Sequence, residues 1–76
     1  MVATSIKPVG RTADGKQIVS AVLVADSPPE TLPTTGDGIK GMSANQVFAP
    51  FSILYVTGDA DVKVYIAGED GAFKAQ

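Results

Sequence analysis

The chain of 76 residues contains no cysteine, histidine or tryptophan. Without cysteine it can form neither a disulfide nor a cysteine-based metal site, and these are two common ways of stabilising a small domain. Without histidine and cysteine it also lacks the commonest general base, the best nucleophile and the usual zinc ligands. The composition therefore argues against an enzyme and predicts no cofactor. Any catalysis would depend on carboxylates, lysine, tyrosine or hydroxyl groups.

Positive charge and long hydrophobic runs are also scarce. Six basic residues stand against eight acidic ones, and the net charge is −2, so the chain has no electrostatic footprint for nucleic acid. The longest nearly apolar run, 18–25, has eight residues, far fewer than the roughly 20 that a membrane-spanning helix needs. The first five residues lack the charged start and apolar core of a signal peptide. We expect a soluble product of the cytoplasm, with neither nucleic acid nor membrane as a partner.

Strand-forming segments occur at both ends of the sequence. Residues 4–12 and 17–25 flank Asp14-Gly15, a dipeptide that favours a tight hairpin turn, and Pro8 places the first arm at a sheet edge or at a bulge. From residue 52 onward three short strand patterns alternate with turns rich in glycine and acidic residues. The sequence therefore predicts an N-terminal β-hairpin and a C-terminal β-meander.

The segment between them, 26–41, holds three prolines and three glycines in sixteen residues. Neither a helix nor a regular strand should persist there, and a loop this long is typically functional or lies against a partner. Residues 42–48 could form one helical turn capped by Ser43 and stopped by Pro50. We expect a single all-β domain spanning 1–76, a small sandwich or open barrel, with a loop at about 26–46.

The alternation of side chains along the strands carries the main inference about association. In 62–66, Val62, Val64 and Ile66 share one face while Lys63 and Tyr65 share the other, as in a strand with one side in water. In 18–25 both faces are apolar, so this strand needs cover above and below. The chain therefore has more apolar strand surface than it can bury alone, and we expect other copies or a host surface to cover it.

Two motifs resemble ligand sites but have simpler explanations. Residues 36–41 (GDGIKG) match the G-x-G-x-x-G spacing of dinucleotide-binding loops, which must follow a buried strand and open a helix; here the motif follows a proline-rich loop. The acidic pairs Asp59-x-Asp61 and Glu69-Asp70 offer two carboxylates each, whereas calcium takes six to eight oxygen ligands. Turn chemistry explains both pairs, so we predict no metal.

The segment from Leu32 to Lys74 resembles short proteins encoded among the structural genes of tailed bacteriophages and prophages. The similar features are an L-P-T start, a G-[ML]-x near position 42, V-F-A-P-x-S-x-L-Y-V at 47–56, and V-Y-I-x-x-E-D-G-x-[FW] at 64–73. The resemblance implies a virion component without enzymatic activity, such as a head decoration or accessory capsid protein. Phe51 departs from the pattern, which favours a small residue there, often glycine.

Together these observations predict a non-enzymatic assembly protein that binds copies of itself, a major capsid protein or other virion proteins. It would be made in the bacterial cytoplasm and carried in the virion. The alternative is a small ligand-recognition module, for example for carbohydrate, that uses exposed tyrosines, with Tyr65 beside Lys63 as the best-exposed candidate. The predicted contact residues are Val19, Leu23, Phe48, Phe51, Tyr55 and Tyr65.

Overall fold

A single six-stranded sheet organises the chain in the computed structural model, which describes residues 1–58 and 60–76. The strands are β1 (Val2–Arg11), β2 (Gln17–Ala25), β3 (Gln46–Phe48), β4 (Ile53–Val56), β5 (Lys63–Ala67) and β6 (Phe73–Ala75). Their order across the sheet is β1-β2-β4-β5-β6, and β3 also pairs with β2. The predicted all-β class, hairpin, meander and intervening loop are confirmed. No helix in the described residues has the length and apolar character needed to cross a bilayer.

The β1–β2 hairpin turns at Asp14-Gly15, as predicted. Gly15 has a φ of 91°, a conformation that suits glycine, and its N–H donates to the Thr12 carbonyl at 3.0 Å. The Thr12 hydroxyl donates to the Asp14 carboxylate and holds the pKa of Asp14 below its usual value. β1 lies at the edge of the sheet, and its register shifts between Pro8 and Gly10, so Pro8 adjoins a bulge where its missing N–H is tolerated.

β2 is the central strand, with antiparallel β1 along one edge and both β3 and β4 parallel to it along the other. The helical turn predicted for 42–48 is therefore wrong. The chain does turn at 43–46, where the Gln46 N–H donates to the Ser43 carbonyl at 3.1 Å. It then continues as β3, because Val47 and Phe48 favour a strand and β2 offers an unpaired edge.

β3 and β4 behave as one strand interrupted by a loop-out at 49–52. Val19 pairs with Phe48 and Val22 with Ile53, so three steps along β2 correspond to five along its partner, and two residues are extra. Ser52 closes the gap in the ladder: its Oγ accepts from the Ala21 N–H at 3.2 Å and donates to the Ala49 carbonyl at 2.8 Å. A side-chain hydroxyl thus takes the place of a backbone group in the middle of the sheet.

The core lies between one face of this sheet and the long loop. Every second residue of β2 contributes to it, with Val19 and Leu23 both at 0% exposure. Ile39 from the loop is buried in the same cluster, and Leu32 and Met42 pack against it. Phe48 and Phe73 pack with their ring centroids 4.8 Å apart. The proline- and glycine-rich segment therefore acts as the second layer of the domain.

Candidate interaction surface

The opposite face of the sheet carries rows of apolar side chains, and within residues 1–58 and 60–76 no second layer covers them. Register aligns Val22, Ile53 and Ile66 in one row across three strands. A second row contains Val24, Tyr55 and Val64. We call these six residues together with Ile18 the open face. All seven are half-buried, and none belongs to the core cluster or packs against it.

The borders of the open face expose further apolar side chains. Val2, which pairs with Val24, is 41% exposed, and Val62, just before β5, is 58% exposed. With strands about 4.8 Å apart and about 3.3 Å per residue, each residue on one face of a sheet occupies about 32 Å², so the seven-residue patch covers about 220 Å², or about 300 Å² together with Val2 and Val62. Contiguous apolar patches of about 300–600 Å² are the largest that typical monomers show, and they are often functional.

The structure reverses the sequence prediction for β5. Tyr65 packs against the core, and Ala67, on the same side of the strand, is 2% exposed. Val64 and Ile66, by contrast, lie on the open face. The period-2 pattern identified two different faces correctly, but the more apolar face is the one that the chain leaves uncovered. Tyr65, predicted as the best-exposed candidate for ligand binding, is half-buried and packs against the core.

The predicted contact residues separate into three groups. Val19, Leu23 and Phe48 are 0%, 0% and 3% exposed, so they lie in the chain's own core and not at its surface. Tyr65 packs beside that core from the same face of the sheet. Tyr55 is on the open face, and Phe51 is 81% exposed. The prediction of Val19 and Leu23 as partner contacts is thus wrong, because their face of β2 is the one that the chain's own core covers.

Phe51 forms the tip of the loop-out between β3 and β4. Its φ is 69°, in the left-handed region that residues other than glycine rarely adopt. The conformation is fixed by two hydrogen bonds of 2.8 Å each: the Phe51 N–H donates to the Ala67 carbonyl, and the Ala67 N–H donates to the Ser52 carbonyl. The chain therefore holds an exposed aromatic ring on a strained backbone, where glycine would fit without strain.

This strain gives a testable prediction. Phe51→Gly should have a higher free energy of unfolding than Phe51→Ala by about 1 kcal/mol, because alanine keeps the left-handed penalty and glycine does not. Both variants remove the ring, so the comparison isolates the backbone. Urea denaturation followed by circular dichroism measures the difference. Equal stabilities would contradict the positive φ at this position.

Three shallow grooves adjoin these surfaces. One of about 320 Å³ is bordered by Phe48, Pro50 and the acidic turn at Glu69 and Asp70. A polar one of about 380 Å³ lies beside the hairpin turn at Asp14 and Gly15. The third, of about 540 Å³, is lined by Lys63, Tyr65 and Gln76 among others.

The motifs considered as ligand sites have structural roles or lack ligands. A Cβ on buried Gly36 would lie 2.5 Å from the Ser43 carbonyl oxygen, so glycine lets the loop pack closely there. No helix follows the glycine motif in the described residues. Within the described chain no three acidic, cysteine or histidine side chains are grouped to hold a metal. Asp59, part of one acidic pair, lies outside the described residues.

Charge is distributed unevenly between strands and turns. The charged residues within the strands are all basic: Lys7, Arg11, Lys63 and Lys74. Every acidic residue that the structure describes lies in a turn or loop. The strands that flank the open face, β1 and β6, therefore carry basic groups, and the described acidic groups lie beyond the strand ends.

Comparison with models of known protein families, with curated proteins and with solved structures finds no match to this chain.

Proposed function

We propose that this chain is a non-enzymatic assembly protein that docks through its open face, and that it is a virion component of the tailed-phage type, either a head decoration or an accessory capsid protein. The observation that carries the proposal is the apolar open face, where Val22, Ile53 and Ile66 form an unbroken row that no layer covers in the part of the chain that the structure describes. Assembly on a second protein surface would cover this row.

Face-to-face docking is favoured over strand addition because the sheet edges are blunted. β1 has two register shifts and contains Pro8, which cannot donate to a new ladder. The Lys40 carbonyl accepts from the Ala3 N–H at 2.9 Å and covers the start of its outer edge. β6 at the other edge has three residues, one of them Lys74. Bulges, proline, lysine and short length are the usual protections against edge pairing.

The size of the open face suggests docking in many copies. Its area of about 220 Å², or about 300 Å² with Val2 and Val62, is less than half of the about 800 Å² that each partner contributes to a standard interface. One copy on one partner should therefore bind weakly unless neighbouring surfaces add to the contact. A repeating lattice would compensate, because many linked weak contacts give a high overall affinity. A capsid provides such a lattice.

The resemblance to phage structural proteins supports the same proposal. The pattern favours a small residue, often glycine, at the position of Phe51, and the φ of 69° there is one that glycine adopts readily. The two similar blocks at 47–56 and 64–73 supply the loop-out at 49–52, β4, most of β5 and the turn that follows β5. They include four of the seven open-face residues: Ile53, Tyr55, Val64 and Ile66.

Particle composition tests the proposal. Particles released by the bacterial strain that carries this gene are purified on a density gradient, and their proteins are quantified by mass spectrometry. We expect many copies of the chain per particle. Val64→Glu places a charge on the open face and should reduce incorporation at least tenfold. Ala44→Glu adds the same charge at an exposed loop position and should be incorporated normally.

Circular dichroism establishes that both variants are folded before particles are compared. Absence of the wild-type chain from the particles would contradict a virion role. Equal incorporation of the two variants would contradict docking through the open face.

A ligand-recognition module is the second candidate, and the groove beside Tyr65 favours it. That groove offers one aromatic side chain with two polar ones, Lys63 and Gln76, which is little for a specific site that needs several convergent polar groups. Tyr55 cannot join it, because Tyr55 and Tyr65 lie on opposite faces of the sheet. Shifts of the Tyr65 NMR signals on titration with a panel of monosaccharides would support this candidate.

A further inference from the structure

Two lysines border the open face on its two long sides. Lys7 on β1 pairs with Ser20, and Lys74 on β6 pairs with Ile66. Directly paired residues share a face, so both lysines lie on the open-face side, and both are exposed. The two lysines lie at nearly the same level along the strands. Lys74 is in the row of Ile66, Ile53 and Val22, and Lys7 is in the row of Ser20, which is two residues from Val22 on β2.

The other charges near the open face lie beyond the strand ends. Asp26 follows β2, and Asp61 comes two residues before β5, so both are at one end of the strands. The remaining strand cations, Arg11 and Lys63, pair with Gln17 and Val56 on the opposite side of the sheet. At the other end Asp70 lies near Lys74, since a Cβ at Gly68 would be 3.3 Å from both the Asp70 carboxylate and the Lys74 Nζ. The charged strand residues along the two long borders of the open face are therefore both basic, with one turn carboxylate beside Lys74.

This arrangement opposes aligned stacking of two copies. In a two-fold interface the same patch occurs on both partners, and two sheets that pack in alignment keep their strand directions within about 30° of each other. If β1 of one copy lies over β6 of the other, Lys7 meets Lys74. If β1 lies over β1 and the two-fold axis passes at the level of Val22, Lys74 meets its own equivalent, and Lys7 lies about 13 Å from its own. Lysine approaches lysine in both cases, and like charges across an interface suppress pairing.

We infer that the lysine border prevents the open face from stacking on a second copy and selects a partner whose apolar surface is bordered by carboxylates. This inference rests on the proposed role of the open face in docking. The occupant is thus an acid-bordered surface of a different protein, and the chain stays separate from its own copies until it meets that surface.

The chain itself supplies a probe with the required chemistry. Lys7→Glu combined with Lys74→Glu keeps the apolar residues of the open face and makes its border acidic. Sedimentation equilibrium is measured for the wild type, for this double variant, and for an equimolar mixture of the two. We expect association in the mixture at least tenfold stronger than in either protein alone. The gain should disappear in about 1 M salt, where the Debye length is about 3 Å.

Two further double variants make the result decisive. Arg11→Glu with Lys63→Glu changes the net charge equally but on the opposite side of the sheet, so its mixture with wild type should show no gain. Lys7→Gln with Lys74→Gln neutralises the border and should self-associate more strongly than wild type. If the charge-reversed protein does not fold, the self-association of this neutral variant tests the inference instead.

Three outcomes would overturn the inference. They are a wild-type dimer that Val64→Glu abolishes, a mixture that associates no better than its components, and an equal gain with the control pair. None of these outcomes depends on particle incorporation. The inference that the lysine border selects the partner can therefore be wrong while the proposed virion role stays correct. If the chain is absent from particles but the mixture associates as expected, the proposed function fails alone.

Discussion

Leu54→Ala is expected to lower the free energy of unfolding by about 3–5 kcal/mol, the usual loss when a buried leucine is truncated and leaves a cavity. Leu54 is 0% exposed and lies in register with Leu23 and Tyr65 on the core face. A domain of this length is expected to have roughly 4–11 kcal/mol of total stability. The variant should therefore be largely unfolded at moderate urea concentrations where the wild type is folded.

Ile53→Ala at the preceding position is the matched control for the two faces of the sheet. Ile53 is on the open face and half-buried, so its truncation removes less buried surface and should cost about 1–2 kcal/mol. Urea denaturation monitored by circular dichroism compares the two variants. If Ile53→Ala were as destabilising as Leu54→Ala, the open face would be covered in solution, and the proposed docking surface would be wrong.

The hairpin and meander could be predicted because their signals are local. Asp14-Gly15 specifies a tight turn between two strand-forming segments, and the turn at Glu69 to Gly71 does the same between β5 and β6. Each prediction needs only residues that are close in sequence. The long loop was equally predictable, since prolines and glycines disfavour both regular structures.

The parallel pairing of β2 with β3 and β4 could not be predicted in this way. It joins residues such as Val22 and Ile53 that are far apart in the chain, and no turn sets their register. One signal was present: a strand that is apolar on both faces is typical of parallel pairing at the centre of a sheet. The same pattern also fits a strand covered by a second subunit, and Val19 and Leu23 were predicted as contacts on that basis.

The open face was missed for the same reason. Alternation within one strand separates two faces but does not determine which one the loop will cover. Ile39, Leu32 and Met42 make that choice, because they pack over the face that contains Leu23 and Tyr65. Of the predicted contact residues, Tyr55 and Phe51 remain at the surface, and Phe51 is there because the loop-out lifts it from the sheet.

Ser52→Ala is expected to lower the free energy of unfolding by about 1–3 kcal/mol, because it leaves a buried backbone donor without a partner. Ser52 is 0% exposed, and its Oγ accepts from the Ala21 N–H at 3.2 Å in the middle of the sheet. Deleting a hydroxyl from a surface serine normally changes the free energy of unfolding little. Here the hydroxyl is the acceptor for a backbone N–H of β2, so its loss should cost more. The measurement is again urea denaturation.

Ser20→Ala provides the comparison, because Ser20 is half-buried on the other side of β2 and an alanine there should change stability by less than about 0.5 kcal/mol. The Ser52 substitution should also speed exchange of the Ala21 amide hydrogen, since local opening then breaks no hydrogen bond at that site. Slow exchange of Ala21 in Ser52→Ala would mean that another acceptor closes the ladder. In that case the loop-out holding Phe51 would not depend on this hydroxyl, and the conformation of its exposed ring would be set by the bonds to Ala67 alone.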